Sequence, residues 1–211
     1  TQNQAFSAIL CLYRSVLKTD LDWLDDVVRA RQPRRLPTVL SRDEVAAVLG
    51  RLEGTVQTIV LLLYGTGMRI LECLRLRIQD VDFDLGHILI RNPKGGRDRA
   101  TVLPDSVRDR LQEHLCEVRT LHERDLAEGF GSVYLPHALA RKYPHADREW
   151  KWQYVFPAGS RGIDPRSGTE RRHHLHESVI RKAIYAATRS AGVSKKVSCH
   201  TFRHSFATHL L

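Results

Sequence analysis

The chain has 211 residues, which is enough for one domain of ordinary size and part of a second. Lys and Arg together number 33 against 24 acidic residues, so the formal net charge is +9, and 26 of the 33 basic residues are Arg. This balance favours a polyanionic partner, because guanidinium groups bind phosphate oxygens in pairs.

The composition argues against several other classes of protein. The four Cys residues lie far apart and form no C-x-x-C pair, so we expect reduced core thiols rather than a disulfide framework. The longest apolar run, "TIVLLLYG" from Thr58, is far shorter than the ~20 residues of a membrane-spanning helix, and the N-terminus does not resemble a secretion signal. We therefore expect a cytoplasmic protein that does not enter a membrane.

The first 40 residues predict two helices and a linker. The apolar residues of "AFSAILCLYRSVL" recur at helical spacing and predict a helix over 4–18, and a second short helix is expected near 22–30. "RQPRRLPTVL" then places two prolines around the basic pair Arg34 and Arg35 and has no helical period, which is typical of an extended linker.

A new domain begins at Ser41, where "SRDE" has the pattern of a capping box between Ser41 and Glu44. Helical patterns follow in "EVAAVLGRLEG", "TVQTIVLLLYGTGM" and "RILECLRLRIQDV", and the second is nearly apolar all round, which predicts deep burial. "GHILIRNPKGGRDRATVLPD" predicts a β-hairpin with strands at 87–91 and 98–103. The expected fold is mainly α with a small antiparallel β-sheet.

The second half of this domain is helical around one irregular segment. Helices are expected in "DSVRDRLQEHLCEVRTLHERDLAEG", "HESVIRKAIYAATRSAGV" and "SCHTFRHSFATHLL". Residues 130–175 are rich in Pro, Gly, His and aromatics, with a short helix expected at "PHALARKY". A segment of this length is too long for a plain loop, and such segments are usually functional.

The final helix carries His200 and Arg203, which lie within about 60° of each other and away from an apolar stripe of Phe202, Phe206 and Leu210. His200 falls in the first turn, where free backbone N–H groups and the helix dipole favour an anion. Taken alone, the H-x-x-R motif is also explained by an exposed polar pair on a solvated face.

Two earlier motifs could carry chemistry. In "GTGMRILE", Arg69 leaves a very apolar helix and Glu72 lies one turn on, where it can brace the guanidinium; the alternative is a purely structural ion pair. Lys94 lies at the hairpin turn with Arg91, Arg97 and Arg99 beside it. A basic two-stranded ribbon can enter a DNA groove, although Lys and Gly are also ordinary turn residues.

Together, "TGMRILE", the basic hairpin and "HTFRHSFATHLL" resemble the motifs of the tyrosine recombinases in order and separation. The resemblance narrows to the integron integrases, because "YLPHALARKYPHADREWKWQYVFP" is similar to the helical insertion that sets them apart from Xer-type recombinases. It implies a tyrosine recombinase (DNA breaking-rejoining) catalytic domain at 41–211 with the insertion at about 134–157. Residues 1–31 would then be the end of an N-terminal core-binding, SAM-like domain, and 32–40 the linker.

The resemblance also implies a mechanism and partners. Integron integrases join a double-stranded attI site to the folded single-stranded attC site of a gene cassette through a 3′-phosphotyrosine, with no metal or other cofactor. Arg69 and Arg203 would bind the non-bridging phosphate oxygens, and Lys94 would protonate the leaving 5′-oxygen. His200 would hydrogen-bond the phosphate, and Glu72 would brace Arg69. The full-length protein would act as a tetramer on DNA in the bacterial cytoplasm.

Further DNA contacts are expected in the linker, the hairpin, the insertion and a basic cluster near 171. The candidates are Arg34, Arg35, Arg97, Arg99, His145, Trp150, Trp152, Arg171 and Arg172. The aromatic candidates suit unpaired bases, for which stacking is worth about 1–3 kcal/mol per base; packing inside the insertion is the alternative for the two Trp residues. "RRHHLHE" could also suggest a metal site, but a phosphate-facing surface fits the basic chain better.

The sequence departs from the family pattern at the nucleophile. All six Tyr residues precede His200, whereas the attacking Tyr of the family follows the H-x-x-R helix. We therefore expect a fragment truncated at its C-terminus that binds DNA weakly and cleaves none, so that a suicide-substrate assay gives no covalent adduct. The alternatives are a Xer- or phage-type recombinase of duplex DNA and a non-catalytic DNA-binding protein on the same scaffold.

Overall fold

The structure is a computed structural model that describes residues 2–19, 36–91 and 96–210. The chain divides into two compact units, Thr1–Leu36 and Pro37–Leu211. Four sequence predictions lie outside the described residues: the short helix near 22–30, Arg34, Arg35 and Lys94.

The first unit contains one helical segment in its described part. Helix α1 spans Gln2–Cys11 and continues as a π-helical segment over Leu12–Leu17. This agrees with the helix expected over 4–18. None of the described residues of this unit is buried, and Val16 is 67% exposed.

The second unit is mainly helical, as expected. Its helices are α2 (Arg42–Leu49), α3 (Gly54–Thr66), α4 (Ile70–Leu74), α5 (Asp105–Ala127), α6 (His137–Lys142), α7 (Glu177–Ser190) and α8 (Cys199–His209). Its strands are β1 (Val81–Asp82), β2 (His87–Ile90), β3 (Arg99–Val102), β4 (Gly162–Ile163) and β5 (Glu170–Arg171). Within the described ranges, no helix is long and apolar enough to cross a membrane.

Helix α3 is the centre of the core. Ile59, Val60, Leu62 and Leu63 are fully buried, and the helix packs against α4, α5 and α8. The nearly continuous apolar sequence of α3 therefore reflects burial on all sides, as predicted. Ahead of it, the capping box of α2 is confirmed: Ser41 Oγ accepts from the Glu44 N–H at 3.1 Å, and Glu44 Oε2 accepts from the Ser41 N–H at 2.7 Å.

The predicted hairpin is present as an antiparallel pair. Strands β2 and β3 pair from His87 with Val102 to Ile90 with Arg99. The third strand β1, which pairs with β2, and the separate β4–β5 pair were not predicted from the sequence. Both new pairs involve strands of two residues, which are too short to show the alternation of side chains by which strands are recognised.

The segment expected to be the insertion, here called the insertion segment or the insertion, shares with Val133 a small apolar cluster separate from the main core. Val133, Leu135, Ala146 and Tyr154 are buried in it, and Trp152 packs against it. Arg77, which follows α4, ties the two ends of the insertion together: it donates to the carbonyl oxygens of Tyr134 and Trp152, each at 2.8 Å. Its guanidinium also lies 3.6 Å from the centroid of the Tyr154 ring.

Candidate active site

Arg69 follows a turn that requires glycine. Gly67 ends α3 with a backbone φ of +62°, and its N–H donates to the Leu63 carbonyl at 3.1 Å. A Cβ added at Gly67 would lie 2.5 Å from Cδ1 of Phe206 on α8. The absence of a side chain therefore allows the turn that leads to Arg69 to lie directly against the helix that carries Arg203.

Glu72 holds two guanidinium groups at the start of α4. Its Oε1 accepts from Arg69 Nη1 at 2.7 Å and its Oε2 from the Arg69 backbone N–H at 2.9 Å. Arg99 on β3 donates from Nη2 to Glu72 Oε2 at 2.7 Å. Burial opposes ionisation of this carboxyl group, which is 7% exposed, but the hydrogen bonds from Arg99 and Arg69 outweigh burial and lower its pKa to about 2. Glu72 thus braces Arg69 as expected, and it also binds the hairpin.

His200 and Arg203 differ in exposure. His200 is exposed at the start of α8, whereas Arg203 is partly buried. Within the described part of the chain, Arg203 Nη1 is one of two buried side-chain nitrogens without a hydrogen-bond partner. Burial lowers the pKa of Arg203, and the positive charge of nearby Arg69 lowers it further. A buried donor without an acceptor, beside a second guanidinium, is suited to an anion.

The buried face of α8 is only partly the one expected. Phe202 is fully buried, but Leu210 is 69% exposed, and the small polar residues Thr201 and Ser205 are buried instead. Ser205 is buried because its Oγ accepts the Leu40 N–H at 2.9 Å and donates to the Thr201 carbonyl at 2.8 Å. Apolar residues alone therefore do not define the packed side of this helix.

Arg69, Glu72 and His200 open onto one cleft of about 520 Å³. Its lining includes the further cations Arg75, Arg91 and Arg181 and the carboxylates Asp80 and Glu177. Cationic groups outnumber the carboxylates in this lining, and the exposed Arg75 side chain has no hydrogen-bond or ion-pair partner among the described residues. The cleft is therefore suited to a polyanion rather than to a neutral ligand.

A second cleft of about 570 Å³ shares Arg75 and Arg91 with the first. Tyr134, Tyr154 and His174 supply aromatic rings to its lining, and the Tyr154 and His174 rings meet edge to face with centroids 5.4 Å apart. Through these two shared cations, the first cleft adjoins the second, which is lined by Tyr134 and Tyr154. Of these two cations, Arg91 belongs to the basic hairpin that the sequence indicated, whereas Arg75 was not selected because it lies outside the three motifs.

The other expected DNA contacts lie in different environments. Arg97 and His145 are exposed, whereas Trp150 and Trp152 are half-buried. The Trp150 ring lies beside that of His122, with centroids 5.9 Å apart, and Trp152 packs against the insertion cluster. Both Trp residues thus contribute to packing and also retain an accessible surface.

The structure corrects the expected exposure of Arg172. Its side chain is only 10% exposed and donates two hydrogen bonds to Asp125, at 2.6 and 2.8 Å, and two to the carbonyls of Ala158 and Gly159. The three guanidinium nitrogens of Arg172, which could bind a phosphate in pairs, all donate hydrogen bonds inside the protein. Arg171 is 18% exposed, with Nη1 3.7 Å from Asp164 Oδ2. Within the described ranges, no group of three His, Cys, Asp or Glu side chains could hold a metal ion.

Comparison with known proteins gives a consistent assignment. Residues 38–211 match the phage integrase family. Proteins named integrase/recombinase from Escherichia coli and Pseudomonas aeruginosa are 49% identical over all 211 residues, which are 63% of their own length. The tyrosine recombinase XerA of Pyrococcus furiosus is 29% identical over 182 residues, 85% of this chain and 50% of that protein. The chain thus spans less than two thirds of these curated relatives.

Solved structures show the same fold. The XerH site-specific recombinase bound to a palindromic difH substrate superposes with a TM-score of 0.58 at 23% identity, over 97% of this chain and 52% of that one. An integrase of the Tn1549 transposon in complex with transposon right-end DNA gives 0.54 at 16% identity, over 99% and 65%. With the family match over most of the chain, these results show that the protein belongs to the phage integrase family, the tyrosine recombinases.

Proposed function

We propose that this protein is the catalytic part of an integron-type recombinase, which joins a double-stranded attI site to a folded single-stranded attC site. The observation that carries the proposal is the buried, unpaired Arg203 Nη1 next to Arg69 and Glu72. A protein does not gain stability from a buried donor without an acceptor, so such a donor indicates a ligand that supplies the acceptor. A DNA phosphate is the anion that the family assignment and the net charge of +9 both favour.

In the proposed reaction, a tyrosine oxygen attacks a DNA phosphorus and the bond to the 5′-oxygen breaks. Arg69 and Arg203 bind the non-bridging oxygens, where negative charge develops in the transition state. His200, exposed at the rim of the first cleft, hydrogen-bonds the same phosphate. Lys94 gives its proton to the leaving 5′-oxygen. By the family resemblance the attacking tyrosine follows the H-x-x-R helix, whereas all six Tyr residues of this chain precede His200.

The insertion supports a preference for attC. A folded single strand presents unpaired bases, which proteins recognise by stacking on aromatic side chains. Trp150 and Trp152 retain accessible surface, and the partly exposed Tyr134 lines the second cleft together with the cations Arg75 and Arg91. Accessible aromatic side chains beside cations are suited to unpaired bases and phosphates together, which supports the integron type.

The test is equilibrium binding of the 211-residue chain to three DNAs: a folded attC hairpin, the same hairpin with its protruding bases deleted, and the full duplex of the attC sequence. We expect W150A and W152A to weaken binding to the first DNA by about 1–3 kcal/mol per lost stack and to change binding to the duplex little. Tyr185→Ala, an exposed aromatic on α7, is the matched control. Equal losses on all three DNAs would reject the role of the insertion, and tighter wild-type binding to the duplex would favour a Xer-type enzyme.

A further inference from the structure

The hairpin that contains Lys94 is attached to the rest of the domain at both of its strands. Residues 91–98 connect β2 to β3, and the last ladder pair before this connection is Ile90 with Arg99. Arg91 Nε donates to Asp80 Oδ1 at 2.7 Å, and Arg99 Nη2 donates to Glu72 Oε2 at 2.7 Å. Each end of the connection is therefore fixed by an Arg that contacts a buried carboxylate.

The two carboxylates are themselves fixed. Asp80 is 4% exposed, and its Oδ2 accepts the Arg77 N–H at 2.9 Å. Glu72 is 7% exposed and accepts both the backbone N–H and the Nη1 of Arg69. If the hairpin moved, Asp80 could move with it only by breaking its hydrogen bond to Arg77, and Glu72 only by breaking its hydrogen bonds to Arg69. Each carboxylate is therefore a rigid attachment point.

Because Glu72 binds two guanidinium groups, it also affects the net charge around Arg69. A buried carboxylate with one guanidinium partner forms a neutral pair, and a phosphate that approached Arg69 would have to compete with Glu72 for it. Arg99 supplies a second positive charge to the same carboxylate. The cluster of Arg69, Glu72 and Arg99 therefore keeps a net positive charge while Arg69 offers its remaining N–H groups to an anion.

We propose that Arg99 is a positioning residue, not a DNA contact: it holds Glu72 against Arg69 and fixes β3 to the element that carries the phosphate-binding guanidinium. The role rests on the proposed function, since it matters for catalysis only if Arg69 binds the scissile phosphate. Arg91, through Asp80, fixes the other strand in the same way.

Arg97 provides a matched comparison for Arg99. It lies two residues earlier in the chain, is exposed, and has no hydrogen-bond or ion-pair partner among the described residues. It was selected from the sequence for the same reason as Arg99, its place in a basic hairpin. Only the contact with Glu72 separates the two, so their variants should separate a positioning role from a phosphate contact.

The first measurement needs no DNA. Amide hydrogen exchange of Arg69 reports its hydrogen bond to Glu72, and NMR titration reports the pKa of the Glu72 carboxyl group. In R99Q we expect the Arg69 amide to exchange about tenfold faster, because the bond opens more often, and the pKa of Glu72 to rise from about 2 toward its ordinary range. R97Q should change neither, and R99K should lie between R99Q and wild type. Unchanged Arg69 exchange and Glu72 pKa in a folded R99Q would overturn the proposal.

The second measurement is the dependence of duplex affinity on NaCl concentration. R97Q should reduce the slope of log K against log salt by about 1, as loss of one phosphate contact does. Adding R99Q to R69Q protein should leave the slope of the R69Q protein unchanged, because Arg99 acts on a phosphate only through Arg69. A further reduction of about 1 in the R69Q/R99Q protein would assign Arg99 to DNA and overturn the proposal. Failure of the proposed function is distinguishable, because it would appear as tighter binding of wild-type protein to the duplex than to the folded hairpin, while the NMR results still decide the role of Arg99. Thermal unfolding of R99K and R99Q verifies that both variants are folded.

Discussion

The close contact of Gly67 with Phe206 makes a quantitative prediction. Replacing Gly67 with Ala forces Ala to adopt φ +62° and places its Cβ 2.5 Å from Phe206 Cδ1. The left-handed backbone costs about 1–2 kcal/mol and displacement of a packed ring about 1–3 kcal/mol, so G67A should lose roughly 2–5 kcal/mol of unfolding free energy. In thermal unfolding, each kcal/mol corresponds to a Tm lower by about 2–4 °C for a chain of this size.

A substitution at Gly192 separates the cost of the left-handed backbone from the cost of the contact with Phe206. Gly192 has a φ of +69°, lies just after α7, and a Cβ added to it would meet nothing within 4 Å. G192A should therefore lose only the backbone cost of about 1–2 kcal/mol. Replacing Phe206 with Leu should restore part of the stability of G67A, so the two changes should be non-additive in a double-mutant cycle. Equal losses in G67A and G192A, or strict additivity with F206L, would refute the contact.

Three further predictions concern charged groups. Glu72→Gln should lower the free energy of unfolding by about 3 kcal/mol at pH 7. Because the folded-state pKa of Glu72 is lowered to about 2, the difference from wild type should be full above the ordinary pKa of 4.5 and should vanish as the pH falls toward 2. A difference in urea unfolding that does not depend on pH would contradict this prediction. Arg203→Met should raise the unfolding free energy by about 1 kcal/mol, because it removes a buried unpaired donor, while it weakens DNA binding; lower stability would contradict this. Arg172→Lys should lower the free energy of unfolding by about 3 kcal/mol, because it weakens the ion pair with Asp125, and it should leave the salt dependence of DNA affinity unchanged. A slope of log K against log salt that is smaller by about 1 would show that Arg172 contacts DNA after all.

Local patterns predicted much of the fold. The capping box at Ser41, the buried helix α3 and the β2–β3 hairpin follow from rules that act over a few residues, and the structure contains all three. The strands β1, β4 and β5 were missed because two-residue strands are defined by their pairing partners rather than by their own sequence. Periodicity is informative only where an element is long enough to repeat.

The limits of sequence reasoning at the site have a similar origin. The contact of Glu72 with Arg69 is between residues three apart, and it was predicted. The contacts of Glu72 with Arg99 and of Asp125 with Arg172 join residues that are 27 and 47 positions apart, and no local rule indicates them. As a result, Arg97, Arg99 and Arg172 looked alike in the sequence, although only Arg97 is left without an internal ion pair.

In the proposed site, Arg69 and Arg203 bind a DNA phosphate together. Side-chain NMR of the arginine Nε–Hε groups during a titration with DNA tests it most directly. The signals of Arg69 and Arg203 should shift together and saturate at the DNA concentration that saturates binding, while the signal of Arg172 stays in place. Saturable DNA binding that leaves the Arg69 and Arg203 signals unmoved would contradict the claim.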